Sequence, residues 1–174
     1  MRRVKVYPHN DLINLAYYHL QVLEGKAKSG DRDAISLDSM SCLVSLAFTS
    51  EALINLVGHK RIDNWNEWWK FQDKAKKVCT KAGLSFRKCV EPFKTVWELK
   101  TIRDSMAHGK PVEFDSNAKN RDEVFGEMQC SWDKYINPEY AKHAYDKVKE
   151  FEKLLFDGCG ISKNDTITGS VHLP

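Results

Sequence analysis

The sequence has no long apolar run, little net charge and few prolines. No uncharged apolar stretch approaches the roughly 20 residues that a membrane-spanning helix needs, so we expect no membrane association. The 27 Lys and Arg residues outnumber the 24 Asp and Glu residues by only three. This excess is too small for a dedicated duplex-binding protein. No apolar signal segment follows the basic N-terminus, and we therefore expect a cytoplasmic protein.

Several common catalytic and metal-binding motifs are also missing. The five cysteines lie far apart and form no CxxC pair, which argues against a structural zinc site and for reduced thiols. The chain contains no Gly-rich phosphate loop, no serine-nucleophile elbow and no HExxH motif. These gaps exclude conventional NTPases, serine hydrolases and zinc proteases. We expect neither a metal ion nor a cofactor.

Apolar residues recur at three- and four-residue spacing in five segments, which begin near residues 8, 35, 64, 92 and 137. This pattern predicts an all-α fold, a single antiparallel bundle of four to five helices. Residues 109–137 are polar and predict a long loop before the last helix. The chain of 174 residues is expected to form one domain, with a core over about 8–156 and a loosely ordered tail over 157–174.

Polar residues, prolines and glycines predict where the helices begin and end. Asn64, with Glu67 three residues later, predicts the start of the third helix. Pro92 and the pair Asn137-Pro138 predict the starts of the fourth and fifth helices. Glycine often ends a helix, so six glycines are interpreted as helix stops: Gly25, Gly30, Gly58, Gly83, Gly109 and Gly158.

Two charged residues occupy positions on apolar helix faces. Arg103 continues the stripe of Val96 and Leu99 on the fourth helix, and Glu51 continues the stripe of the second helix. Arg and Glu are rarely buried without a partner, so we predict a Glu51–Arg103 ion pair between the two helices. Such a pair either fixes how the helices dock or forms part of a functional site. Asn55 lies one turn beyond Glu51 on the same face.

A histidine follows this arginine at the end of the same helix, in the order Arg103-Asp104-Ser105-Met106-Ala107-His108. Arg supplies a permanent cation whose fork geometry fits a phosphate, and His transfers protons near neutral pH. The pair therefore suits cleavage of a phosphodiester. Five residues on an ideal helix turn the chain by about 500°, which points His108 about 140° away from Arg103 unless the last turn unwinds.

Two segments, LKTIRDSMAHG at 99–109 and TSEALIN at 49–55, resemble motifs of the HEPN superfamily. That family is a small all-α bundle with an Arg-x4–6-His motif late in the chain, and its arginine is typically followed by Asn, Asp or His. Asp104 fits that position. Many members are metal-independent endoribonucleases of toxin–antitoxin, abortive-infection and phage-defence systems, whereas others are inactive binding or dimerisation modules.

The resemblance implies attack of a ribose 2′-hydroxyl on the adjacent phosphate, which leaves a 2′,3′-cyclic phosphate and a 5′-hydroxyl. On that basis His108 is the general acid and base, Arg103 stabilises the phosphorane-like charge, and Glu51 and Asp104 orient them. Further RNA contacts are expected from two other polar residues, Asn55 and Lys110.

The resemblance also implies a homodimer in which one cleft uses both chains, with RNA as the substrate and an antitoxin or other regulatory protein as a further partner. Two alternatives stay open. The chain could be a catalytically inactive dimeric module that binds a protein or a nucleotide. It could also be a structural bundle in which Glu51–Arg103 is only a docking pair and His108 a helix cap.

A basic run and four tryptophans lie near the third and fourth helices. The run contains Lys74, Lys76, Lys77, Lys81, Arg87 and Lys88, and we interpret it as a solvated helix face rather than a phosphate contact. The tryptophans at 65, 68, 69 and 97 are interpreted as core or interface anchors rather than base-stacking platforms. Trp68 and Trp69 are adjacent and cannot both face one core, so one of them is expected at a dimer surface.

Overall fold

The helical spacing of the sequence appears as six helices in the computed structural model, which describes residues 1–172. They are α1 (Pro8–Ser29), α2 (Ile35–Arg61), α3 (Phe71–Lys81), α4 (Phe93–Ala107), α5 (Arg121–Glu127) and α6 (Pro138–Cys159). Two short strands, β1 (Arg2–Lys5) and β2 (Gly169–His172), pair antiparallel. The predicted all-α helical bundle is confirmed.

Helix α2 is the centre of the bundle and packs against α1, α3, α4 and α6. Its buried side chains lie all around the helix and include Cys42, Leu43, Leu46, Leu53, Ile54 and Val57. The buried hydroxyls of Ser45, Thr49 and Ser50 donate to the carbonyl one turn earlier, so they carry no unsatisfied donor into the core. By length and composition α2 could cross a membrane, but 56% of its most apolar window is buried by the protein itself.

The helix boundaries agree with the predicted signals at two helices and differ at a third. Asn137 caps α6 by accepting a hydrogen bond from the Tyr140 backbone N–H at 2.8 Å, and α4 begins directly after Pro92. The third helix begins at residue 71 and not at Asn64. Asn64 has a φ of 54° and lies in a turn, and no helix follows it before Phe71. Residues 62–70, with three of the tryptophans, therefore form a connection rather than a first turn.

Three glycines that the sequence suggested as helix stops lie inside helices, namely Gly25, Gly58 and Gly158. A Cβ atom on Gly58 would stand 2.2 Å from the ring of Trp65. A Cβ atom on Gly158 would stand 2.3 Å from the backbone oxygen of Ala82. Gly58 and Gly158 thus permit close approach of neighbouring segments. The interpretation of these three glycines as stops was wrong.

The long connection before α6 and the segment after α6 both contain short elements of secondary structure. Helix α5 and a single 3-10 turn at Asp133–Tyr135 interrupt the connection. After α6 a second 3-10 turn, Lys163–Thr166, leads into β2. The Asn10 side-chain amide donates to the Thr166 carbonyl at 2.6 Å, and the Tyr7 backbone N–H donates to the Thr168 hydroxyl at 3.0 Å. These contacts join residues 166–168 to the start of α1 and the residue before it, and residues 173–174 of the predicted tail lie outside the described residues.

Replacing Gly158 with Ala tests the close approach of α3 and α6. The new methyl group would collide with backbone that cannot rotate away, so we expect the free energy of unfolding to fall by about 2–3 kcal/mol in urea denaturation. Gly25→Ala is the matched control, because no atom lies within 4 Å of its Cβ position. There the better helix propensity of Ala should raise the free energy of unfolding by about 0.5–1 kcal/mol. Equal effects of the two substitutions would contradict this interpretation.

Candidate functional site

Glu51 links three helices through two cations. One carboxylate oxygen accepts a hydrogen bond from Nζ of Lys74 on α3 at 2.6 Å, and the other accepts one from Nη1 of Arg103 on α4. Lys74 is only 1% exposed, whereas Glu51 and Arg103 are 27% and 19% exposed. The Glu51–Arg103 pair that the sequence predicted is confirmed, and it lies at the edge of the core rather than in its centre.

A second carboxylate holds the other side of the same guanidinium. Nε and Nη2 of Arg103 donate to Oδ1 of Asp104 at 3.1 and 2.8 Å. The other oxygen of Asp104 lies 2.5 Å from Nζ of Lys100. Three cations face two carboxylates in this network, which leaves one net positive charge. We call these five residues the Arg103 network.

The hydrogen bonds of the network keep its two carboxylates and its guanidinium ionised. Burial alone would raise the pKa of Glu51, but the hydrogen bonds from Lys74 and Arg103 outweigh it and hold that pKa below its usual value. Burial would likewise raise the pKa of Asp104, and the hydrogen bonds from Lys100 and Arg103 lower it instead. The pKa of Arg103 is raised, because the two carboxylates outweigh the effect of burial. The guanidinium is therefore a fixed cation.

Lys74 is the residue of this site that sequence reasoning missed. Besides the carboxylate of Glu51, its Nζ donates to Oδ1 of Asn55 at 3.2 Å and to the Glu67 backbone carbonyl at 2.9 Å. All three ammonium protons thus have acceptors. The interpretation of Lys74 as part of a solvated face was wrong. The spacing of Phe71, Lys74 and Val78, which share one face of α3, was the signal that could have found it.

A cleft of about 690 Å³ lies beside the network, between the N-terminal segment, α1 and α2. We call it the α1–α2 cleft. Phe48, Glu51 and Asn55 line it, so the cleft and the network share Glu51, and Asn55 contacts the network by accepting a hydrogen bond from Lys74. The guanidinium carbon of Arg103 lies 5.6 Å from the centroid of the Phe48 ring. Most other wall residues are apolar and include Leu12, Ala52 and Leu56.

His108 lies on another side of α4. Its backbone N–H donates to the Asp104 carbonyl at 2.9 Å, which continues the helical hydrogen-bond pattern through the end of α4. The last turn therefore does not unwind, and His108 follows Thr101 and Ser105 on a helix face about 140° from Arg103. Its side chain is exposed and makes no hydrogen bond or ion pair within residues 1–172.

The structure thus gathers some predicted site residues and leaves others apart. The Arg103 network contains three of them, Glu51, Arg103 and Asp104. Asn55 contacts the network through Lys74. His108 and Lys110 lie outside it, and the Lys110 side chain is exposed. Within a single chain, the predicted phosphate-binding and proton-transfer groups do not meet.

The tryptophans divide between surface and half-buried positions. Trp68 is 87% exposed, which makes it the member of the Trp68–Trp69 pair that faces away from the core. Trp97 is half-buried on α4, with Nζ of Lys88 at 3.4 Å and Nζ of Lys100 at 5.3 Å from its ring centroid. Because Lys100 also pairs with Asp104, these cation–π contacts help to fix the outer side of the network.

Comparison with known proteins identifies no relative. No protein-family profile, no curated protein and no solved structure matches this chain. The function of the site is therefore argued from its own residues.

Lys74→Met tests whether the buried ammonium supports the network. The substitution keeps the apolar stem but leaves Glu51 and Asn55 without this donor, so we expect the free energy of unfolding to fall by about 2–3 kcal/mol. Lys76→Met on the exposed face of α3 is the control and should change stability little. Urea denaturation of both variants gives the comparison. A loss no larger than that of the control would show that Lys74 is dispensable.

The lowered pKa of Glu51 predicts loss of stability in acid. A carboxyl whose pKa is lower in the folded state stabilises the fold above its unfolded pKa, and that contribution disappears as pH falls through the folded value. The free energy of unfolding should therefore decrease below about pH 4.5, the usual pKa of Glu. Glu51→Gln should show a smaller decrease in the same urea series. Parallel curves for the variant and the wild type would contradict the assignment.

Proposed function

We propose that this chain is a metal-independent endoribonuclease of the HEPN type. One observation carries the proposal: the Arg103 guanidinium on α4 is fixed between the carboxylates of Glu51 on α2 and Asp104 on α4, and an exposed histidine ends α4 in the order Arg-Asp-x3-His. Phosphodiester cleavage needs a fixed cation for the phosphate and a group that moves protons near neutral pH. Arg103 and His108 have these properties.

Arg103 is suited to hold the scissile phosphate. Each of its three nitrogens donates one hydrogen bond to a carboxylate, which leaves two of its five N–H groups for a ligand. The network keeps one net positive charge after Glu51 and Asp104 are neutralised. A phosphate diester, which carries a single negative charge, complements that excess. Glu51 and Asp104 act as positioning residues, because they touch the guanidinium rather than the RNA.

His108 is suited to transfer the protons of the reaction. As a general base its imidazole takes the proton of the ribose 2′-hydroxyl, whose oxygen then forms a bond to phosphorus. The bond between phosphorus and the 5′-oxygen breaks, and the protonated imidazole of His108 acts as the general acid that gives its proton to that oxygen. The products are a 2′,3′-cyclic phosphate and a 5′-hydroxyl, so no water or metal-bound nucleophile enters this step. Lys110, two residues beyond His108 and exposed, is placed to contact the RNA backbone.

The separation of Arg103 and His108 on α4 favours a site made by two chains. An intact helix cannot turn His108 toward the guanidinium of its own chain. In a two-fold symmetric dimer, Arg103 of one protomer can face the partner's His108, and each dimer then has two equivalent sites. We place such a dimer in a toxin–antitoxin or phage-defence setting, where an antitoxin or other regulatory protein would restrain it.

The second candidate function is a catalytically inactive dimeric module that binds a protein or a nucleotide. The observation that favours it is that all three nitrogens of Arg103 already donate to carboxylates, together with the separation of His108 from Arg103 around the helix. In that case Arg103 fixes the docking of α2 and α4. His108 is then only the capping residue of α4.

An RNA-cleavage assay in the presence of EDTA distinguishes the two functions. We expect the wild type to cut single-stranded RNA, and Arg103→Ala and His108→Ala each to lose about 10²–10⁴-fold in rate. The control variants Arg121→Ala and His143→Ala, which change exposed residues of the same types, should cut normally. Circular dichroism confirms folding. A folded wild type that cuts none of several RNAs would support the inactive module, and unfolding of Arg103→Ala alone would support a docking pair.

Mixing the two inactive variants tests whether the site uses both chains. A heterodimer of Arg103→Ala and His108→Ala has one site with both groups intact if the groups come from different chains. After subunit exchange we then expect about a quarter of the wild-type activity, since half of the dimers carry one of two sites. Sites formed within one chain would give no recovery, because neither variant chain contains both groups.

A further inference from the structure

We infer that the α1–α2 cleft binds a single nucleobase of the RNA, next to the phosphate held by Arg103. This inference rests on the proposed function for the choice of ligand. The cleft has a volume of about 690 Å³, within the range of small-molecule sites. Its walls come from α1 and α2, which pack closely against each other, and from the segment just before α1. It is therefore a preformed pocket rather than a gap between loose segments.

Phe48 gives the cleft a flat apolar platform. Its side chain is 44% exposed, although both of its neighbours in sequence, Ala47 and Thr49, are buried in the core. The exposed ring lies on the same wall as Leu12 and Ala52. Its contact with water is unfavourable unless a ligand covers it. Bases of single-stranded nucleic acids stack on such rings, and the contact accepts any base because each has a π-face.

Asn55 supplies the cleft with a hydrogen-bond donor whose orientation is fixed. Its side-chain oxygen accepts the hydrogen bond from buried Lys74 at 3.2 Å, which fixes the orientation of the amide group. The amide nitrogen makes no hydrogen bond within the described residues, and Asn55 lines the cleft. This NH₂ group can therefore donate to the carbonyl or ring nitrogen of a base edge. Lys60 lies on the same lining and adds a cation.

The cleft adjoins the phosphate-binding group directly. Phe48 and Glu51 belong to the cleft wall, and both contact Arg103, through a ring–guanidinium distance of 5.6 Å and a hydrogen bond. A nucleotide with its base over Phe48 thus has its phosphate on the side of Arg103. An acyl chain or other purely apolar ligand would leave the Asn55 amide nitrogen without a partner.

Titration with ribonucleoside 5′-monophosphates, monitored by ligand-observed NMR or calorimetry, tests the inference. Ribose 5-phosphate is the comparison probe, because it has the sugar and phosphate but no base. We expect the nucleotides to bind at least about 10-fold more tightly than ribose 5-phosphate, since base stacking supplies most of the difference. Phe48→Leu, a change at an exposed ring that does not threaten the fold, should lower nucleotide affinity by about 10-fold.

Filling the cleft provides the second variant. Ala52→Trp places a large side chain in the cleft and should abolish the difference between nucleotides and ribose 5-phosphate. Ala27→Trp is the matched control, because Ala27 is exposed near the end of α1 and lies outside the cleft, and it should bind like the wild type. Equal binding of nucleotides and ribose 5-phosphate, or unchanged binding by both Phe48→Leu and Ala52→Trp, would overturn the inference.

The binding experiment and the cleavage assay test the cleft assignment and the ribonuclease proposal separately, because either one can fail without the other. RNA cleavage that depends on Arg103, together with no base-dependent binding, would overturn the cleft assignment alone. Base-dependent binding that is lost in Ala52→Trp, together with no cleavage of any RNA, would support the cleft and overturn the ribonuclease proposal. Neither result leaves the nucleobase assignment undecided.

Discussion

The two hydrogen bonds that Glu51 accepts determine how three helices meet. Its carboxylate neutralises a lysine that is almost completely buried on α3 and an arginine on α4. Without Glu51 the Lys74 ammonium would remain in the core with only a backbone carbonyl and the Asn55 amide as acceptors. A buried charge that loses its counter-ion is far more costly than a missing neutral contact. The position of Arg103, and with it the whole candidate site, therefore depends on this one side chain.

The regularity of α4 imposes the second constraint on function. Its backbone hydrogen bonds continue to the amide of His108, so Arg103 and His108 stay on different faces of one rigid helix. A chemical step that needs both groups must then bring in a second copy of the chain. The exposed histidine and the half-buried guanidinium also differ in how firmly the protein holds them. The histidine is free to meet a partner, whereas the guanidinium is held in place by carboxylates on two helices.

Much of this arrangement follows from residue spacing alone. The apolar spacing of α1, α2, α4 and α6 predicts these four helices, and two charges on otherwise apolar faces predict the Glu51–Arg103 pair. Lys74 was missed because it stands among lysines that do face solvent, and only its register with Phe71 and Val78 distinguishes it. Local sequence could not distinguish a glycine that ends a helix from one that admits a neighbour. At Gly58 that neighbour is Trp65, in the connection that folds back on the end of α2, and at Gly158 it is Ala82, at the end of α3 and distant along the chain. The pairing of β1 with β2 and the α1–α2 cleft are likewise products of contacts that no local pattern encodes.

A double-mutant cycle on the rate of RNA cleavage tests the central claim that Glu51 acts by holding Arg103 for the phosphate. Single-turnover rates would be measured for the wild type, Glu51→Gln, Arg103→Ala and the double variant, each at a temperature where it is folded. We predict that Glu51→Gln lowers the cleavage rate of the wild type but does not lower it further in the Arg103→Ala variant. Independent losses that multiply in the double variant would contradict it, as would a folded wild type that cuts no RNA.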